Sequence, residues 1–399
     1  MIIPKADRLQ QVQEYYFSRK LAEVRALQAQ GRHIINLGIG SPDMAPAAAT
    51  VEALVHSARQ TDSHGYQPYN GTARLRQAIS NWYGQVYGVE VQEQEVLPLA
   101  GSKEGIFHVS MAFLNPGDRV LVPNPGYPAY AAAARLAGAE AVTYTLEEAT
   151  DWLPQRAELE QLVAQGRVKM IWINYPHMPT GTAATADTLA WLVEFTQRHN
   201  LLLLNDNPYS LVLHQQQPLS LLSIPGAKAN CLELNSLSKS HNMAGWRVGM
   251  VLGQPDYLSA ILAVKSNLDS GQLLPVQEAA VAALQHDDGW HARRNAVYSQ
   301  RQQLAHRLLD ALGCTYQPNQ TGMFVWARLP QHVTDAEVYL DELLHTQGIF
   351  LTPGKIFGSQ GERYLRVSLC APAEQIKEAI TRVKSTTETL HNNHHDHNI

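Results

Sequence analysis

Apolar residues along this chain fall into two alternating patterns. Short runs that are apolar at successive positions, such as Val120-Leu121-Val122 and Leu201-Leu202-Leu203-Leu204, are separated by longer stretches with helical spacing. Residues 8 to 30 place Leu9, Val12, Tyr16, Leu21, Val24 and Leu27 on one helical stripe, and Ile34 to Leu37 then reads as extended. From Val96 on, the alternation is regular. It predicts a strand over 96–99, a helix over Ser102–Leu114, a strand over 120–122 and a helix over Ala129–Leu136. Strands near Ala141–Leu146 and Met170–Asn174, a helix over Asp187–Arg198 and the Leu201–Leu204 strand follow. Strands apolar on both faces imply a mostly parallel sheet covered by helices, the α/β class, in which ligands sit beyond the carboxyl ends of the strands. A helical stretch from Pro275 to Leu312, with Gly289 as its main breaker, leads to alternating strands at Met323–Trp326 and Tyr364–Ser368. The expected organisation is an N-terminal arm with part of a small domain (1–45), a large domain (46–284) and a C-terminal small domain (285–399). From about 388 a disordered, His-rich tail is expected.

Composition narrows the class. The 399 residues carry 31 Lys and Arg against 36 Asp and Glu, a net charge of −5, which favours neither nucleic acid nor an anionic membrane as partner. The three cysteines, Cys231, Cys314 and Cys370, lie far apart, so no disulfide framework or zinc site is expected and a reducing cytoplasm fits best. Neither a signal-peptide pattern nor an apolar run of membrane-spanning length is read.

The chemistry concentrates at Ser236-Leu237-Ser238-Lys239, set between the apolar runs Cys231–Leu234 and Val248–Leu252. Burying an ammonium is costly unless it is paired or made neutral, and a lysine that sheds its proton is the nucleophile for a Schiff base to an aldehyde. Arg247, eight residues on, offers a fork of donors suited to a phosphate. Gly101-Ser102-Lys103 opens a helix directly after a strand, where free N–H groups and the positive dipole end favour an anion, although ordinary capping has the same appearance. Asp206 ends a wholly apolar strand and needs a cationic or donor partner, unless it caps a turn before Asn207-Pro208. Gly38-Ile39-Gly40 lacks the third glycine and the βαβ setting of a dinucleotide fingerprint.

Ser236-x-Ser238-Lys239 followed by Gly245-Trp246-Arg247-Val248-Gly249 resembles the lysine segment of the class I/II pyridoxal-phosphate aminotransferases of fold type I. Other motifs of that family recur in its order from about Leu37 to Leu369. The resemblance implies a cofactor, pyridoxal 5′-phosphate, attached to Lys239. Its phosphate is held by Ser102 and Lys103, mainly through the backbone, and by Arg247; Ser236 and Ser238 are further cofactor-binding residues, the ring is stacked on Tyr127, and its nitrogen is paired with Asp206. Tyr209 bonds the ring's 3′ oxygen. Gly40, Asn174 and Arg366 fall at the substrate positions, Arg366 gripping the α-carboxylate, although an arginine in Tyr364–Ser368 also fits a solvated strand edge. Tyr66 resembles the tyrosine that reaches the phosphate of the neighbouring subunit, which implies a homodimer.

One position departs. Where the family has asparagine before Pro179-Thr180-Gly181, this chain has Met178, whose thioether donates nothing. The expected consequence is a cofactor oxygen that keeps more negative charge and a Lys239 Schiff base that holds its proton more tightly. The implied reaction is ping-pong transfer of an amino group between an L-amino acid and a 2-oxo acid, with Lys239 moving the proton. Residues 264–271 and Pro275-Val276-Gln277 resemble the branch acting on diaminopimelate-type, alanine or methionine substrates, with glutamate and 2-oxoglutarate as the exchanging pair. A C–S lyase or acyl-CoA condensing synthase of the same fold would share every cofactor residue. A cofactor-sensing module would need a fused DNA-binding segment, for which forty residues before the first motif leave no room.

Overall fold

A computed structural model of the chain describes residues 3–9, 16–285 and 288–395. Among these, seven strands form one sheet in the order Val96–Leu99, Gly249–Leu252, Cys231–Ser236, Leu202–Asp206, Val168–Ile173, Arg119–Asn124, Glu140–Thr145. All neighbours pair in parallel except Gly249–Leu252, which runs antiparallel to both of its partners. Central strands are buried on both faces: every residue of Leu202–Asp206 and Cys231–Ser236 is buried. Each fully buried leucine there contributes roughly 1.5–3 kcal/mol over an exposed one, which is why this run reads as apolar without alternation.

Helices cover the sheet where the spacing placed them, Ser102–Phe113, Ala129–Leu136 and Ala186–Arg198 among them. The helix Ala73–Tyr87, which the periodicity reading did not single out, is capped by Thr72, whose side chain accepts from the Leu75 N–H.

A smaller unit draws on both ends of the chain. Ile35–Asn36 pairs in parallel with Ile349–Phe350, and Ser368 N–H donates to Leu37 O at 2.7 Å. Tyr364–Ser368 lies between Thr352–Pro353 and Phe324–Arg328 in a four-stranded sheet. The long helical stretch expected from Pro275 to Leu312 is two helices, Leu274–Leu284 and Asp288–Ala311. Gly289 lies inside the second and breaks nothing; the first ends at Leu284, and residues 286 and 287 lie outside the described residues. At the N-terminus the regular helix spans Tyr16–Ala29, and residues 10–15 of the expected 8–30 helix lie outside the described residues. The last helix runs Ala373–His395, beyond the start of the tail expected near 388, while residues 396–399 lie outside the described residues. No helix among the described residues is long and apolar enough to cross a membrane.

Candidate active site

A cavity of about 490 Å³ opens at the carboxyl ends of the parallel strands. Of the site residues expected from the sequence, all but Tyr66 line it: Gly40, Ser102, Lys103, Tyr127, Asn174, Met178, Asp206, Tyr209, Ser236, Ser238, Lys239, Arg247 and Arg366. Tyr66 stands away from it with 92% of its surface exposed. A larger cleft of about 600 Å³, lined by Trp152, Trp326 and Tyr364, holds none of these residues.

Lys239 sits on a single helical turn, Leu237–Ser240, that joins two antiparallel strands of the sheet. Ser236 caps that turn, accepting from Ser238 N–H at 3.1 Å. The Lys239 Nζ donates to the carbonyl of Gly40, which the N-terminal segment delivers from the other side of the cavity. Burial, the leading cause, holds the Lys239 ammonium below the ordinary lysine range; Arg366 and Arg247 push the same way and Cys370 opposes them. A lysine so placed gives up its proton more readily.

Asp206 ends its strand buried, with Tyr130 donating to Oδ2 at 3.0 Å. Burial pushes its carboxyl up to about 7 against the bonds from Tyr130 and Ser102. Its Oδ1 is buried with no hydrogen-bond partner among the described residues. A protonated ring nitrogen is the kind of donor this oxygen lacks.

The phosphate seat forms at the start of Ser102–Phe113. Gly101 has φ +86°, and a Cβ there would come within 2.2 Å of Arg247 Nη2, so glycine is required. Arg247 is fixed by Nη1 to Ala244 O (2.9 Å) and Nη2 to Ala100 O (3.1 Å). With helix N–H groups, the Ser236 and Ser238 hydroxyls, Lys103 and Arg247 converging on one end of the cavity, the donor set fits a dianionic phosphate.

At the other end, Arg366 is buried on an inner strand rather than a solvated edge. Its guanidinium lies 3.9 Å over the Phe324 ring and 4.8 Å over that of Phe357, with Nη2 donating to Gly38 O at 2.9 Å. Asn174 is engaged with main chain on both sides: its amide donates to Asp206 O and accepts the Met178 N–H at 2.9 Å. It thereby ties the Asp206 strand end to the loop carrying Met178. His177, in the same loop, is buried, bonds Thr180 Oγ1 at 2.8 Å and Pro125 O at 3.2 Å, and is driven by burial down to about 3, a neutral ring.

Sequence reasoning missed Tyr130, Phe17, Phe324 and Phe357. Tyr130 had a signal, as the second tyrosine of Tyr127-Pro128-Ala129-Tyr130, and it stacks on Trp172 at 4.9 Å. Phe357 had one as well, in Pro353-Gly354-Lys355-Ile356-Phe357-Gly358, which resembles the family's PGxxFG turn; Phe17 and Phe324 had none that distinguishes them from core rings.

A mostly parallel sheet with a lysine on the turn between two of its strands, a carboxylate at a strand end and a phosphate seat at a helix start defines the fold type I pyridoxal-phosphate transferases. Residues 32–383 match the model of the family Aminotransferase class I and II. The chain belongs to that family and is a pyridoxal-phosphate-dependent aminotransferase. It is 38% identical over 384 residues to an LL-diaminopimelate aminotransferase of Oleidesulfovibrio alaskensis, covering 95% of this chain and 98% of the relative. A second LL-diaminopimelate aminotransferase, from Aquifex aeolicus, is 36% identical with the same coverage. Among solved structures, apo-BacF from Bacillus subtilis superposes with a TM-score of 0.92 at 33% identity, covering 97% of this chain and 98% of that one.

Proposed function

We propose that the donor is a diaminopimelate-type amino acid or a broader set, with glutamate and 2-oxoglutarate as the exchanging pair, and that the enzyme works as a cytoplasmic homodimer. That both relatives are LL-diaminopimelate aminotransferases supports the donor class. The observation that carries the site assignment is that Lys239, Asp206 and Arg366, from three separate elements, line one cavity.

In this reading the Arg366 fork binds the substrate carboxylate at one end while Arg247, Lys103 and the 101–103 turn hold the phosphate at the other. That separation orients the substrate's Cα–H toward Lys239. Pyridoxal phosphate, when bound, supplies the electron sink for the charge left at Cα. Asp206 keeps the ring nitrogen charged. Lys239 Nζ, made less basic by its surroundings, takes the proton from Cα and returns it. Met178, Phe324 and Phe357 keep water from the guanidinium. Tyr66, exposed on this subunit, reaches into the partner's phosphate site.

The test is an absorbance titration of the purified holoenzyme with a panel of amino acids. Diaminopimelate and glutamate should replace the band of the lysine-linked cofactor by that of its amino form, and 2-oxoglutarate should restore it. If neither acts while alanine or methionine does, the donor assignment is wrong.

A further inference from the structure

The phosphate seat carries an acid where an anion has to bind. Glu104 stands in the first turn of Ser102–Phe113. A carboxylate there is favourable to the helix but repels a phosphate bound at the same end. Its Oε2 accepts the N–H of Ala100, and its Oε1 is 2.8 Å from His108 Nε2. The carbonyl of Ala100 in turn accepts Arg247 Nη2 at 3.1 Å. Ala100 is thus held from both sides, and it immediately precedes the Gly101 turn.

The aim of that turn matters. The Ser102 side chain bonds Asp206, so this element meets a phosphate chiefly through main-chain N–H groups, which point where the turn sends them. The neighbouring strand backs directly onto it: a Cβ on Gly249 would lie 2.6 Å from Ser102 N. Gln272 adds a tie, donating to Leu99 O at 3.1 Å and to Arg247 O at 2.6 Å. The charge of Glu104 is met from behind. Lys265, in the last turn of Pro255–Lys265, is 1% exposed; its ammonium is paired with Asp269 and lies 3.8 Å from Glu104 Oε1. Glu104, His108 and Asp269 offer ligand atoms within 4.8 Å of one another, a grouping fit for a metal ion. The Lys265 ammonium, paired within the group, already supplies its cation.

We propose that Glu104 is a positioning residue for the cofactor phosphate, aiming the 100–103 main chain and Arg247 through Ala100. Lys265 is the counter-charge that lets an acid do this beside a dianion. This rests on the phosphate-seat assignment above. Geometry and charge can be separated. Glu104→Gln keeps an acceptor for the Ala100 N–H and drops the charge, whereas Glu104→Ala loses both. Lys265→Met leaves Glu104 and Asp269 unbalanced next to the phosphate.

The experiment is equilibrium binding of pyridoxal phosphate, and of pyridoxal, which lacks the phosphate, to the full chain stripped of cofactor. It compares wild type, Glu104→Ala, Glu104→Gln, Lys265→Met and the double variant Glu104→Gln/Lys265→Met, read by cofactor absorbance. Glu104→Ala should bind pyridoxal phosphate roughly tenfold or more weakly, the loss of one charge-assisted hydrogen bond, and Glu104→Gln no more than about threefold more weakly. Lys265→Met should also weaken pyridoxal phosphate, and adding Glu104→Gln should restore it. Pyridoxal affinity should be the same throughout. If Glu104→Ala keeps its affinity for pyridoxal phosphate, or loses pyridoxal to the same extent, the positioning role is overturned. A loss in Lys265→Met that persists in the double variant overturns the counter-charge role; should Lys265→Met fail to fold, the two Glu104 variants still decide the positioning. A wild type that binds both ligands equally tightly overturns the phosphate seat and the proposal with it.

Discussion

The Met178 sulfur lies 3.3 Å from Nη1 of Arg366. A weak, neutral acceptor therefore stands against the group that binds the substrate carboxylate, at a position where the family places an amide. A thioether holds the guanidinium in place without competing strongly for it, and it offers no N–H to the cofactor's ring oxygen.

Met178→Asn should lower the pH at which the lysine-linked cofactor loses its proton. The added donor takes up charge on the ring oxygen that otherwise holds that proton. One hydrogen bond to a charged group, roughly 1.5 kcal/mol, corresponds to about one pH unit. An absorbance titration of both proteins reads this directly, and a variant no less basic than wild type would remove the idea.

Arg366→Met should reduce kcat/KM by roughly 30- to several-thousand-fold, from a loss of about 2–5 kcal/mol for a buried, hydrogen-bonded charge pair. The amount of cofactor bound should be unchanged, because Arg366 lies at the opposite end of the cavity from the phosphate seat. Steady-state kinetics with glutamate decide it.

Lys239→Ala should bind pyridoxal phosphate without covalent attachment. Borohydride reduction followed by intact mass measurement should leave the variant unmodified and wild type one cofactor heavier. A stable adduct on the variant would move the assignment to another lysine.

Asp206 links the cofactor to stability. Burial raises its carboxyl from 3.8 to about 7 in the folded chain, so the folded state binds its proton more tightly than the unfolded one does. Stability without cofactor should therefore fall as pH rises between about 4 and 7, by something on the order of 4 kcal/mol for this group. Asp206→Asn should lack that part of the slope. Urea unfolding of both proteins, stripped of cofactor, at pH 5 and pH 7.5 checks it.

What was legible beforehand follows from where the physics is local. Leu202–Asp206 announced itself because a strand covered on both faces cannot alternate. Lys239 did so because a lysine flanked by hydroxyls between buried strands has few bland explanations. Arg366 was ambiguous, since period two assigns a face but not its neighbours; only the pairing of its strand on both sides makes that face interior. Lys265 with Glu104 left no trace, because an ion pair between distant segments is a property of packing. The end of the first helix at Leu284 carries no glycine or proline to mark it, and Gly289, the weaker helix former, lies within Asp288–Ala311.

The cavity is a seam with its labour divided across it. Arg366, Phe324 and the Gly40 carbonyl belong to segments tied to the smaller sheet, while Lys239, Asp206 and Arg247 belong to the larger one. The carboxylate grip and the proton carrier thus stand on different sheets, while the phosphate seat is built on the larger one alone. Exchange of one substrate for another therefore makes its demands on one sheet, and the anchoring of the cofactor on the other.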